Sequence, residues 1–155
     1  MKSIVQGDLI KMAKEGKFDV IVHGCNCFCV MGAGIALAIR QVFPQAYAVD
    51  IESGEGNRYK LGNYSKVDIL VPYSPNGKKL TVVNAYTQYT YGRNRDHVDY
   101  DAVARVFKKI HTDFPLEARI GLPMIGSGLG GGNWTDIQRI IEKEFADRDY
   151  TIVSL

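Results

Sequence analysis

Short contiguous apolar runs alternate along this chain with stretches whose apolar residues recur every three or four positions. That alternation predicts strands buried on both faces, interleaved with amphipathic helices. The runs place strands at Ser3–Gln6, Asp19–His23, Ile69–Pro72, Leu80–Tyr86, Arg119–Pro123 and Tyr150–Ser154. Three helices follow from the spacing. The first begins in the turn Gly32-Ala33-Gly34-Ile35 and stops before Pro44, with Ile35, Ile39 and Val42 on its inner face. The second follows Asp99, an N-cap candidate, and aligns Val103, Phe107 and Ile110. The third follows Asn133 and aligns Ile137, Ile140, Ile141 and Phe145. The polar, glycine-bearing segment from Glu52 to Tyr64 reads as an exposed loop. Strands alternating with helices predict an α/β sheet covered on both faces.

Composition adds bounds to this picture. The 155 residues suit a single domain, residues 1–155, and 46% hydrophobic with 23% charged residues is the balance of a soluble globular protein. The start, MKSIVQGDLI, has no apolar run of signal-peptide type, and no stretch approaches the roughly 18 apolar residues that span a bilayer. A cytoplasmic monomer without a membrane partner is therefore expected. The net charge of +2 is too small to imply a nucleic-acid or membrane surface.

The three cysteines, Cys25, Cys27 and Cys29, stand with His23 in the pattern H-x-C-x-C-x-C. Zinc sites space their cysteines more widely and draw a second ligand pair from elsewhere. His97 and His111 have no partner cysteine, so small buried thiols are the better reading, with no metal and no cofactor.

Candidate chemistry centres on two glycine turns, each joining a strand to a helix: Met31-Gly32-Ala33-Gly34-Ile35, and Gly126 to Gly132 running into Asn133 and Trp134. Without Cβ atoms, such turns let backbone N–H groups cradle phosphate oxygens, and a following helix N-terminus adds partial positive charge. The alternative is that the glycines only make tight turns. Gly126, Gly128 and Gly131 also spell G-x-G-x-x-G, but a dinucleotide fold needs further strands after that motif, and only one helix and one strand follow here. No G-x-x-x-x-G-K-[ST] loop occurs.

His23 and Asn26 close the second strand in VIVHGCN, where residues at strand carboxyl ends face a ligand crevice. His23 could serve as general acid or base, or merely hydrogen-bond the loop, and Asn26 could hold a sugar hydroxyl. Asp8 could cap the next helix or accept from an exocyclic amine. The run from Tyr86 to Arg95 mixes aromatic and basic side chains and reads as a loop flanking the pocket; base stacking, and with it RNA binding, is the weaker alternative.

Taken in order, GDL, VIVHGCN, MGAGIA and LPMIGSGLGGGNW resemble the macrodomain family across essentially the whole chain, Gln6 to Leu155. Within it, the chain is similar to the stand-alone ADP-ribose 1″-phosphate phosphatases and terminal ADP-ribose glycohydrolases. The resemblance implies a three-layer α/β/α fold with a mixed, mostly parallel central sheet of about six strands. It implies ADP-ribose, or its 1″-phosphate, in a cleft above the strand ends, with ADP-ribosylated macromolecules as further partners. Carried over by motif, Asp8 and the Leu9 backbone meet the adenine, and Leu155 lies near it. Asn26 lies by the distal ribose. Gly32, Ala33, Gly34 and Ile35 wrap the diphosphate and distal ribose from one side. Ser127, Gly128, Leu129 and Gly130 wrap them from the other, and Met124, Ile125 and Gly126 join the substrate-binding residues.

Two departures bear on activity. The resemblance puts Gln88 near the glycohydrolases' attacking lysine and Gly130 where their aspartate stands, so that route lacks its nucleophile and its acid. The phosphatase branch carries a histidine in the setting of His23, which implies hydrolysis of ADP-ribose 1″-phosphate with His23 as acid/base or nucleophile. Recognition of ADP-ribose without turnover, and hydrolysis of ADP-ribosyl esters or O-acetyl-ADP-ribose, are the alternatives.

Overall fold

The computed structural model describes residues 2–70, 79–92, 97–127 and 130–155. Strands β1 (Lys2–Gln6), β2 (Val20–Cys25), β3 (Tyr64–Leu70), β4 (Lys79–Tyr86), β5 (Ile120–Leu122) and β6 (Tyr150–Ser154) alternate with helices. The helices are α1 (Leu9–Lys14), α2 (Gly34–Val42), α3 (Pro44–Glu52), α4 (Tyr100–Asp113) and α5 (Trp134–Glu144). Among the described residues the strands form a single sheet in the order β1-β6-β5-β2-β4-β3. Every pairing is parallel except β3 on β4, which makes the sheet mixed and mostly parallel.

The alternation of strand side chains builds two cores. Val20 and Val22 of β2, Val83 and Ala85 of β4, and Tyr150 and Ile152 of β6 face α4 and α5, meeting Phe107, Ile110, Ile137 and Ile141. Ile21, Val82 and Val153, one position along, face the opposite way onto Leu9, Ile10, Ile39 and Ala46 of α1, α2 and α3. The result is three layers, helices on both sides of a sheet whose central strands have no wet face. Gly121 shows how tight the β5 layer is, since a Cβ there would lie 2.7 Å from the Phe18 ring. No described helix is long and apolar enough to cross a membrane.

Several expectations need correction. The first helix does stop before Pro44, at Val42, but Pro44 then opens a further helix, α3, in whose first turn a missing N–H costs nothing. That helix escapes notice because its inward face is Ala46 and Asp50, not an apolar stripe. Val42 is 38% exposed at the end of α2, so the inner face narrows to Ile39, with Ile35 partly buried. The predicted loop from Glu52 to Tyr64 holds a 3₁₀ turn at Arg58–Lys60, and Lys60 is buried. Strand β3 starts at Tyr64, well before Ile69, because an edge strand with Ser65, Lys66 and Asp68 shows no apolar run; residues 71 and 72 lie outside the described residues.

Candidate functional site

A cavity of about 730 Å³ opens at the carboxyl ends of β2, β5 and β6, the crevice where open α/β sheets place ligands. Its floor is Gly24, Cys25 and Asn26 from β2 and its exit, with Val153, Ser154 and Leu155 from the end of β6. One wall is the first glycine turn: Gly32, Ala33, Gly34 and Ile35 all line it. The other wall comes from Met124, Ile125, Gly126, Ser127 and Gly130 of the second turn. Gly128 and Leu129 lie outside the described residues.

The two turns do different work. Helices α1, α4 and α5 are each closed by a side-chain cap, from Asp8, Asp99 and Asn133 respectively. Helix α2 has none: Ala33 is extended, no side chain bonds the first turn, and that turn holds no acidic residue. Its free amide donors and partial positive charge are therefore available to an anion in the cavity. Gly34 has φ +57, a value that favours glycine, and a Cβ on it would meet nothing within 4 Å, so the turn faces open space. The second turn is packed instead of open. A Cβ at Gly126 would lie 2.7 Å from Val98 Cγ2, and Ser127 Oγ donates to Met124 O at 2.7 Å. Asn133 Oδ1 accepts from Asp136 N, so one amide of the α5 start is already capped, unlike those of α2.

His23 does not line the cavity. It is 0% exposed, on the β2 face that looks toward α2 and α3, and the lining begins at the next residue, Gly24. Its Nε2 lies 2.6 Å from Asn84 Oδ1. Asn84 spends its amide protons on Ala46 O and Ser65 Oγ, so Oδ1 is the acceptor and His23 carries its proton on Nε2. Burial lowers the imidazole pKa below its ordinary 6.5, outweighing the raising effects of Asn84 and Asp50. The ring is a neutral, fixed tautomer. The expectation that it meets substrate directly is corrected, because His23 lies one step deeper in β2 than Cys25, which shares its face, touches its ring and does line the cavity.

Asp8 and Leu9 also stand apart from the cavity lining. Asp8 Oδ1 accepts from Ile10 N at 3.0 Å and Lys11 N at 3.1 Å, the capping role, and Leu9 is sunk in the core at 3% exposure. Asn26 does line the cavity, with its amide oxygen and one of its two amide protons bonded to the loop that follows. Oδ1 accepts from Phe28 N and Val30 N, and Nδ2 donates to Val30 O. Leu155 lies at the rim, 99% exposed.

Val30, Ala36 and Pro123, not singled out for the pocket, complete it together with Gln88 and Gly92 from the run expected to flank it. Tyr91 joins them from the aromatic run. It belongs to a cluster with Phe28 and Tyr89, over which Arg58 sits 4.0 Å from the Tyr89 ring centre. Arg93 and Arg95 lie outside the described residues. Among the described lining there is no Asp, Glu, His, Lys or Arg. Burial, with Asp50 nearby, pushes the Cys25 thiol well up, so it is no thiolate nucleophile. Among the described residues no group of three or more His, Cys, Asp or Glu could hold a metal. Among the described residues, what remains is a lining without charged side chains and with one open helix end, suited to a bound anion.

No family model matches the chain. It is 31% identical over 153 residues to the uncharacterized 17.5 kDa protein in the tk-vs intergenic region of Enterobacteria phage T4, covering 96% of this chain and 93% of that one. It is 23% identical to the ADP-ribose 1″-phosphate phosphatase of Saccharomyces cerevisiae, covering 97% of each. It is 25% identical to the DNA ADP-ribosyl glycohydrolase of Thermus aquaticus, covering 92% of this chain but 37% of that protein. Among solved structures, a macrodomain protein from Streptomyces coelicolor superposes with TM-score 0.72 at 27% identity, over 99% of this chain and 98% of that one. Thermosipho africanus DarTG in complex with ADP-ribose shares the fold, with TM-score 0.78 at 15% identity, over 99% of this chain and 41% of that one.

Proposed function

Since this chain belongs to the macrodomain family, we propose that its cavity binds ADP-ribose and that it hydrolyses ADP-ribose 1″-phosphate to ADP-ribose and inorganic phosphate. The observation that carries the proposal is the uncapped N-terminus of α2 opening into a cleft of about 730 Å³ that is otherwise uncharged among its described residues. A diphosphate needs donors more than it needs a cation, and free backbone N–H groups at a helix start supply them. The phosphatase from Saccharomyces cerevisiae, matching over nearly its full length, supports the choice of reaction.

Phosphoryl transfer asks the protein mostly for positioning and for stabilisation of charge on the equatorial oxygens, with little covalent work. The glycine turns fit that demand. Water attacks phosphorus, the bond to the sugar oxygen breaks, that oxygen takes a proton given up by the attacking water, and the turn amides hold the phosphoryl charge. His23 acts by positioning: its bond to Asn84 pins the end of β2, from which Gly24 and Asn26 reach the cavity. The glycohydrolase route is disfavoured by packing as well as by residue type. A Cβ at Gly130 would lie 3.0 Å from Gln88 Oε1, Gly126 O and Val98 Cγ2, so no side chain fits there without displacement.

A second reading, recognition of ADP-ribose without turnover, is favoured by one specific observation: the described lining holds no acid or base. Calorimetric titration with ADP-ribose and a phosphate-release assay on ADP-ribose 1″-phosphate separate the two. Gly32→Glu is the control. Its Cβ would make only ordinary contact with Val30 Cγ1 at 3.7 Å, so the fold should tolerate it, while the carboxylate opposes the diphosphate. Wild-type binding and release, both lost in Gly32→Glu, are the expected results. Binding without release selects the second reading. No binding by the wild type overturns both.

A further inference from the structure

Three reactive groups outside the cavity meet between the loop leaving β2, the 3₁₀ turn and α3. Lys60 Nζ lies 3.5 Å from Cys29 Sγ and 3.4 Å from Asp50 Oδ1, and it donates to Gly54 O at 2.9 Å. All three side chains are enclosed: Asp50 is 1% exposed, Lys60 5% and Cys29 9%. Tyr86 O–H donates to Asp50 Oδ1, while Asp50 Oδ2 has no hydrogen-bond partner among the described residues. Cys29 itself holds φ +60, a left-handed conformation uncommon outside glycine, which fixes where its thiol points. A nucleophilic amine, a thiol in contact with it and a carboxylate with a free oxygen form an arrangement that the proposed function does not use.

We propose that Cys29 and Lys60 are an oxidative crosslinking site, in which peroxide joins Sγ to Nζ through a sulfenamide bond. Peroxide first transfers one oxygen to the thiol, giving the sulfenic acid and one water; sulfur loses two electrons and peroxide gains them. Lys60 then passes one ammonium proton to Asp50, its neighbour at 3.4 Å. The amine nitrogen attacks sulfur across the existing contact, the S–O bond breaks, and the hydroxyl leaves with a second amine proton as another water. Thiol, ammonium, carboxylate and one peroxide thus become sulfenamide, carboxylic acid and two waters.

Asp50 gives the step its outlet. Removing the Lys60 charge alone would strand a buried carboxylate, which is costly, whereas a transferred proton leaves both partners neutral. Burial and Asp50 raise the Cys29 thiol pKa, and Lys60 pulls it down, so thiolate is scarce and the reaction needs sustained peroxide. The linked loop carries Asn26 and Val30, both in the cavity lining, so the crosslink ties one cavity wall to the 3₁₀ turn.

The test is peptide mass spectrometry of the full chain after hydrogen peroxide, with free thiols alkylated before digestion. The expected product joins the Cys29 and Lys60 peptides at two hydrogens below their summed mass, and a thiol reductant separates them. Cys29→Ser and Lys60→Arg should abolish it, whereas Cys25→Ser and Cys27→Ser should keep it. Lys60→Arg retains the charge beside Asp50, so the fold is preserved while the amine nucleophile is lost, and circular dichroism checks this. Wild-type Cys29 recovered only as free thiol, as sulfinic acid, or in a disulfide with Cys25 or Cys27 overturns the proposal. The readout does not depend on ADP-ribose binding or turnover.

Discussion

Replacing His23 with alanine tests whether this residue holds the fold or performs chemistry. The imidazole is fully enclosed and hydrogen-bonded to Asn84 Oδ1, so its removal leaves that acceptor buried and unpaired. Such a group costs about 1–3 kcal/mol. The cavity left by the lost ring adds about 1–2 kcal/mol, toward the low end for large-to-small core changes. The sum, about 3 kcal/mol, corresponds to a fall of roughly 6–12 °C in melting temperature for a chain of this size.

The pH dependence gives a second readout. The folded-state pKa of His23 lies below its ordinary 6.5, so just below that pH the unfolded chain binds the proton more readily. Wild-type stability attributable to His23 is therefore complete above pH 6.5 and lost as pH falls toward the lowered folded value. Alanine has no such loss, so the stability gap between the two proteins should narrow on acidification. Thermal unfolding followed by circular dichroism at several pH values measures both effects, alongside phosphate release per folded molecule. A variant that melts with the wild type yet loses phosphate release would refute the reasoning and restore a direct chemical role.

Arg148 is 1% exposed and donates to Pro115 O, Phe114 O and His111 O, closing the C-terminal end of α4 and the turn beyond it. Arg148→Met strands those carbonyls and should cost about 3 kcal/mol in urea unfolding, with ADP-ribose affinity unchanged in the folded protein. Gly130→Asp should not create glycohydrolase activity toward ADP-ribosylated protein. Its Cβ meets Gly126 O at 3.0 Å, so the turn must shift, and a melting temperature several degrees lower is expected. Gly121→Ala drives a methyl into the Phe18 ring and should destabilise by about 1–3 kcal/mol while leaving the cavity intact.

How legible each feature was depended on the range of the interactions that make it. Asp99 and Asn133 cap α4 and α5 through side chains that reach only three residues, and both helices could be read from the chain. Strand β4 announced itself by a continuous apolar run, because it lies between two strands and between two helical layers. The edge strand β3 and the helix α3 gave no such signal, since one is half wet and the other turns Ala46 and Asp50 inward. Buried Lys60 was hidden for a different reason: its partners, Asp50, Cys29 and Gly54, come from other segments.

The sequence by itself determined the alternation of strands and helices, the caps, and the two glycine turns, because each rests on contacts within a few residues or on the backbone freedom of glycine. It also determined that the second turn could not hold an acid, since Gly130 has no side chain. Only the tertiary structure decided how far along β2 the crevice reaches. With Val20, Ile21 and Val22 all buried, apolar alternation is silent about which residues meet the crevice. His23 pairs with Asn84 of β4 one step below Cys25, and the cavity lining begins at Gly24. The open end of α2 was likewise a tertiary fact. A missing cap can be read from Ala33, but that the bare amides line a cleft follows only from where β2, β5 and β6 end together.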